Sequence, residues 1–130
     1  MTLTEIRNAV ITRMTAQTAI ASEDVRYPND KTYDPSGKAI WARLTNVPGM
    51  ASANEIGNGP VVHRTGIVII QLFVPAGSGS LLITQTADKI RELFEFQTDG
   101  RLDYFSVSAV DAGETDGWAQ MNLQIPYRAI

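Results

Sequence analysis

Residues 61–74 form a strand-like stretch that is apolar on both of its alternating sets. Ile67, Ile69 and Phe73 fall on one side; Val68, Ile70, Leu72 and Val74 fall on the other. An antiparallel strand with one wet face alternates apolar and polar residues. This one does not, so both faces require cover. Helices of the same chain can supply one cover. The other calls for a second layer or a partner subunit. The longest aliphatic run, Ile67-Val68-Ile69-Ile70, is far too short to span a bilayer, so no membrane segment is expected.

Two helices are legible. Thr2-Leu3-Thr4-Glu5 is a capping box, in which the Thr2 hydroxyl accepts from the Glu5 N–H and the Glu5 carboxylate reaches back. Leu3, Ile6, Val10 and Met14 follow at helical spacing, and the stripe predicts a helix over residues 3–21. A second helix follows the break at residues 75–80, with Ser78 or Ser80 as its cap. Ile83, Ala87, Ile90 and Phe94 form its apolar stripe, and Asp99-Gly100 marks its exit.

The remaining pattern is strand and turn. Residues 22–38 hold Pro28, Asn29-Asp30, Asp34-Pro35 and Ser36-Gly37, and read as an extended surface arm in which residues 24–27 allow a short strand. Residues 39–47 alternate, with Ile40, Ala42 and Leu44 opposite Trp41, Arg43 and Thr45. Pro48-Gly49 is expected to end that strand, and residues 50–60 read as a long hairpin tip. A closing hairpin runs from Phe105 to Ile125 around a turn-rich acidic loop at residues 111–117. Pro126 is expected to stop the ladder or to sit on an edge. The expected fold is α+β: one domain over residues 1–130, a mostly antiparallel sheet with two helices packed against it.

Composition narrows the function classes. Eleven basic residues against fourteen acidic give a net charge of −3, against the basic excess of a dedicated nucleic-acid binder. There is no cysteine, hence no disulfide, thiol nucleophile or zinc ribbon. The first twenty residues include Glu5, Arg7 and Arg13 and no apolar core segment, so no signal peptide is expected.

No catalytic constellation emerges. His63 is the sole histidine, and no spaced acidic cluster flanks it; an ordinary strand histidine is the simpler reading than a metal ligand. A serine triad would need this same histidine and a Gly-x-Ser-x-Gly elbow that the chain lacks. Gly77-Ser78-Gly79-Ser80 lacks the lysine of a phosphate loop and reads as a strand-to-helix joint. No catalytic, cofactor or metal site is therefore expected, nor enzyme activity. Trp41 and Trp118 sit opposite the aliphatic sets of their strands. They read equally as a small internal cluster and as interface anchors.

The chain resembles the tail-terminator family of long-tailed bacteriophages, the minor tail proteins that cap the tail tube. The resemblance rests on Tyr27-Pro28-Asn29, Trp41-x-Arg43, Gly66 and the apolar strand with Gln71, and the run from Phe73 to Gly79. It continues through Ala87-Asp88, Ile90 and Phe94 to the closing strand from Gly117-Trp118 to Pro126-Tyr127. It implies an α+β fold and a structural virion protein. That protein would form a hexameric ring at the head-proximal end of the tail, assembled in the host cytoplasm. Its implied roles are to stop tube polymerisation and to join the tail to the head connector. The implied partners are further copies of the chain, the tail tube protein and a connector or neck protein, with DNA passing through the channel unbound. Six copies carry a formal charge of about −18, six times −3, which repels DNA.

Tyr27, Tyr33, Trp41, Arg43, Arg64 and Trp118 are the candidate interface residues, and Asp111, Glu114 and Asp116 the candidate channel-facing acids. A solvated turn is the plainer reading of those acids. Other classes remain open at this point. They are another neck or tail-completion protein, a small non-enzymatic ligand-binding α+β domain, and a single-strand nucleic-acid module stacking bases on Trp41 or Tyr104.

Overall fold

The capping box forms as the sequence predicts. Glu5 N donates to Thr2 Oγ1 at 3.1 Å and Thr2 N to Glu5 Oε1 at 3.4 Å, opening helix α1 at Leu3–Thr15. The helix stops six residues short of the expected end. Gln17 is the reason: its side-chain amide donates to the Ile20 carbonyl and accepts from the Ile20 N–H, replacing helical bonds with a local turn. Ile20 still reaches the core, but from this turn. The structure, a computed structural model, describes residues 1–53 and 62–130.

Among the described residues there follow β1 (Val25–Arg26), β2 (Trp41–Ala53), β3 (Val62–Pro75), α2 (Leu81–Phe94), β4 (Thr98–Asp99), β5 (Leu102–Tyr104), β6 (Ser108–Thr115) and β7 (Trp118–Ala129). They form one sheet in the order β1-β2-β3-β7-β5-β4, with β6 also paired to β7. All pairings are antiparallel except β1 with β2, which is parallel. The α+β fold with two helices on a mostly antiparallel sheet is thus the observed one.

One sheet face carries the core. Val68, Ile70, Leu72 and Val74 of β3 meet Leu123 and Ile125 of β7, Ala42 and Leu44 of β2, and both helices. The α2 stripe is as expected, with Ile83, Ala87, Ile90 and Phe94 all buried. Ser80 is the α2 N-cap residue, yet its hydroxyl does not cap the helix, and the Ser78 hydroxyl bonds back to the Pro75 carbonyl.

Pro48, expected to end its strand, is absorbed, and so is Pro126, expected to stop the ladder or to sit on an edge. β2 runs through Pro48 with a register shift between Pro48 and Ala51. β1 pairs with β2 only at Ala42 and Arg43, so among the described residues no strand flanks Pro48 on that side, the edge position that suits a residue without an N–H. β7 continues through Pro126 to Ala129; Pro126 sits where the β6 pairing ends and the β5 pairing begins. The hairpin tip expected at residues 50–60 lies, from residue 54 onward, outside the described residues.

β4 and β5 are not expected from the sequence pattern, and α2 is shorter than its pattern predicts. The helix ends at Phe94, and Asp99 belongs to a tight hairpin in which Thr98 faces Asp103. The acidic loop is likewise mostly strand. Only Asp116 and Gly117 turn, with φ of 53° and 82°, the left-handed pair of a two-residue hairpin. Gly113, at φ 77°, relieves a bulge opposite β7, and its N–H donates to Asp111 Oδ1.

Candidate functional site

The outer sheet face, away from the helices, gathers most of the candidate residues. Trp41 and Phe73 are directly opposed on β2 and β3, and their rings stack at 4.1 Å with planes 12° apart. Tyr33 tilts against Trp41 at 5.5 Å, and Trp118 meets it edge-on at 6.0 Å. Large aromatic cross-strand pairs are the stabilising unit of such a face. Arg43, one pleat along from Trp41, lies over the Phe73 ring at 5.6 Å and donates from Nε to Gln71 Oε1 at 2.6 Å.

Segment 22–38 walls this cluster on one side. Although mostly irregular, it is tied down at a buried acid. Tyr33 OH donates to Asp24 Oδ1 at 2.8 Å, and Lys38 Nζ lies 3.2 Å from the same oxygen. Burial, aided by the Asp24 bond, pushes the Tyr33 phenol up to about 12. β1 presents Arg26 beside Arg43 through the parallel register, and the Arg26 guanidinium lies over Tyr33 at 5.0 Å. Between segment and sheet opens a cleft of about 350 Å³, lined among others by Tyr27, Lys31, Tyr33, Trp41 and Arg43. Its titratable lining is Arg26, Lys31 and Arg43 against one carboxylate, Asp30, besides the two tyrosines.

Two donors here are unsatisfied. Trp41 Nε1 and Arg26 Nε are buried with no hydrogen-bond partner among the described residues. Such orphans are uncommon in folded proteins. Arg26 is otherwise held, donating to the Lys31 carbonyl at 2.7 Å and lying 3.5 Å from Asp30. Neither Arg43 nor Lys31 has a carboxylate within ion-pair distance among the described residues.

Thus Tyr27, Tyr33, Trp41 and Arg43 converge on one cleft, and Trp118 adjoins it through Trp41. Arg64 lies apart: it is near the far end of β3 and donates from Nε to the Met1 carbonyl. Sequence reasoning missed Arg26 and Lys31. Only the parallel β1–β2 pairing puts Arg26 against Arg43, and a two-residue strand leaves no periodic signal. Asp111, Glu114 and Asp116 are exposed on β6 and its turn.

Elsewhere the chemistry is structural. Arg13 grips Asp99 with two bonds, Nε to Oδ2 at 2.8 Å and Nη2 to Oδ1 at 2.6 Å, and Tyr104 OH adds a third at 3.0 Å. The Arg13 bond holds the Asp99 carboxyl below its usual range, and burial raises the Tyr104 phenol. Tyr104 is 2% exposed, with its ring edge-on to Phe94, so it offers no surface for stacking a base. His63 is a half-buried residue of β3, and no three His, Asp or Glu side chains converge among the described residues.

The family model described as phage tail terminator protein matches residues 5–125. No curated protein matches the chain. One solved structure superposes on it with a TM-score of 0.74 at 20% identity, covering 100% of this chain and 96% of that one. At that identity the likeness is one of fold.

Proposed function

The chain belongs to the phage tail terminator family, and from that premise we propose that it assembles into a six-membered ring that caps the tail tube. The family is one of structural tail proteins and is not known for enzymes. On this reading the ring stops tube polymerisation and joins the tube to the head connector at the head-proximal end of the virion tail, after assembly in the host cytoplasm. The family match over residues 5–125 carries the proposal. The partly open outer face of the sheet supports it, because Ile67 and Val47 remain 40% and 46% exposed there. Exposed apolar surface on a sheet of this kind marks a contact surface. The aromatic cleft and Trp118 serve as subunit or partner contacts. DNA passes the ring unbound, since copies that each carry −3 repel a polyanion.

The test is reconstitution. Purified chain is sized by light scattering and then added to polymerising tube protein. A six-fold particle that arrests tubes at fixed length is the expected result. A monomer that leaves tube growth unchanged overturns the proposal.

A further inference from the structure

We infer that the acidic β6–β7 hairpin of one subunit seats in the cationic aromatic cleft of the next, so that neighbours overlap like shingles. The inference rests on the ring reading above and names the contact that would build it.

Charge is the first observation. Between Arg101 and Arg128 the chain has four acids, Asp103, Asp111, Glu114 and Asp116, and no base. The cleft opposes three cations to Asp30 alone, in a chain whose overall sign is negative. Arg43 is already oriented: Gln71 fixes its Nε and Phe73 supports its plane, while no carboxylate meets it among the described residues. A guanidinium held this way is prepared for a carboxylate partner. Beside it, the Trp41 indole N–H is a buried donor without an acceptor among the described residues.

Geometry makes the contact intermolecular. β6 is separated from β2 by β7 and β3, about 14 Å at ordinary strand spacing. Asp111 is paired with Met121 and Glu114 with Ala119, which places both acids on the helix side of the sheet. Arg43 and Trp41 lie on the other side. A hairpin therefore cannot reach its own cleft. All eight β6 residues are exposed, so among the described residues nothing of its own subunit covers either face of that strand. Laid over a neighbour, its helix-side face meets the neighbour's outer face, acids to cations. The two patches differ and sit toward opposite edges of the sheet, the heterologous arrangement that closes into rings. In this placement Asp111 and Glu114 face the next subunit rather than the lumen.

Charge reversal tests the contact on the full chain. One variant carries Lys31→Glu and Arg43→Glu, the other Asp111→Lys and Glu114→Lys. All four positions are exposed, and circular dichroism with thermal melting verifies folding. Each variant alone should raise the concentration for half-assembly about tenfold or more, since like charges then oppose each other across the interface. An equimolar mixture should assemble again, because alternating the variants restores every hairpin–cleft pair in an even-membered ring. Should a double variant misfold, Arg43→Gln and Glu114→Gln, with the salt dependence of the unaltered ring, give the same reading in weaker form. Rings that form normally in both variants overturn the inference and leave the ring proposal standing. If the rings of the cleft variant alone then fail to cap tubes, the cleft binds tube protein instead. Reversal variants that stay dissociated when mixed also overturn it. An unaltered chain that remains monomeric at every concentration and does not cap tubes overturns the ring proposal itself.

Discussion

The two faces of β3 begin from nearly the same chemistry and end in different surroundings. Toward the helices, Val68, Ile70, Leu72 and Val74 are exposed by 1% or less. Away from them, Ile67 is 40% exposed, Ile69 is half-buried and Phe73 is covered chiefly by the stacked Trp41. One face is closed by the chain that bears it; the other is closed only in part, by aromatic rings from the flanking strands. Burying an apolar side chain contributes about 1.5–3 kcal/mol, so the covered face sets the stability of the subunit. The outer face has unspent apolar surface, which a partner can bury. Substitutions should separate the two roles.

Removing a covered-face anchor should have the largest effect. Phe94, 0% exposed and edge-on to Tyr104, closes the core from α2. Phe94→Ala should destabilise the chain by about 3–5 kcal/mol, the usual range for such truncations. Urea unfolding followed by far-UV circular dichroism measures it, and an unchanged midpoint would remove Phe94 from the core.

Gly66 tests the same face from the backbone. The Tyr127 ring crosses β3 at Gly66 so that its hydroxyl donates to Asn46 Oδ1 on β2 at 2.8 Å. A Cβ on Gly66 would overlap that ring. Gly66→Ala should cost about 1–3 kcal/mol, as overpacking generally does. Adding Tyr127→Leu should make the pair non-additive, because the obstructing ring is then gone. Additive losses would show that Gly66 serves something other than the ring.

Neighbouring residues of β3 give the sharpest contrast. Val68→Thr places a hydroxyl in the closed core and should cost about 1–3 kcal/mol. Ile67→Thr, one residue earlier, keeps a branched side chain on the open face and should change stability by no more than about 0.5 kcal/mol. Equal losses in thermal melts would erase the distinction between the faces.

The sequence discloses the covered face better than the open one, for a physical reason. Helix stripes and strand alternation record burial inside the subunit, so Ile83, Ala87, Ile90 and Phe94 were legible, as were Ala42 and Leu44. The strand ends were less so, because Pro48 and Pro126 are tolerated where partner strands are absent or change over, a fact of pairing rather than of composition. β1, β4 and β5 are two or three residues long and leave no period. For the cleft, Tyr27, Tyr33, Trp41 and Arg43 drew notice by residue type. The parallel pairing that adds Arg26 is long-range and invisible locally. The Gln17 turn that stops α1 was missed because glutamine is a good helix former by propensity.

A modest, pH-dependent effect is expected at the rim of the covered face, where Arg13 of α1 holds Asp99 of the β4–β5 hairpin. Arg13 also donates to the Leu93 carbonyl at 2.8 Å, so one guanidinium joins α1, the end of α2 and the hairpin. Its bond lowers the Asp99 pKa in the folded chain. A lowered folded pKa means the contribution is complete above the unfolded carboxylate value, about 3.9, and is lost as pH falls through the folded one. Asp99→Asn should therefore lower the thermal midpoint at neutral pH, and the gap to the unaltered chain should close progressively below about pH 4. Both side chains are partly exposed, 17% for Arg13 and 27% for Asp99, so solvent screening keeps the gap modest. Thermal melts of the two chains across acid pH measure it. A gap independent of pH would mean that Asp99 contributes by packing and not by its charge, leaving the hairpin held by Tyr104 and the β5–β7 pairing.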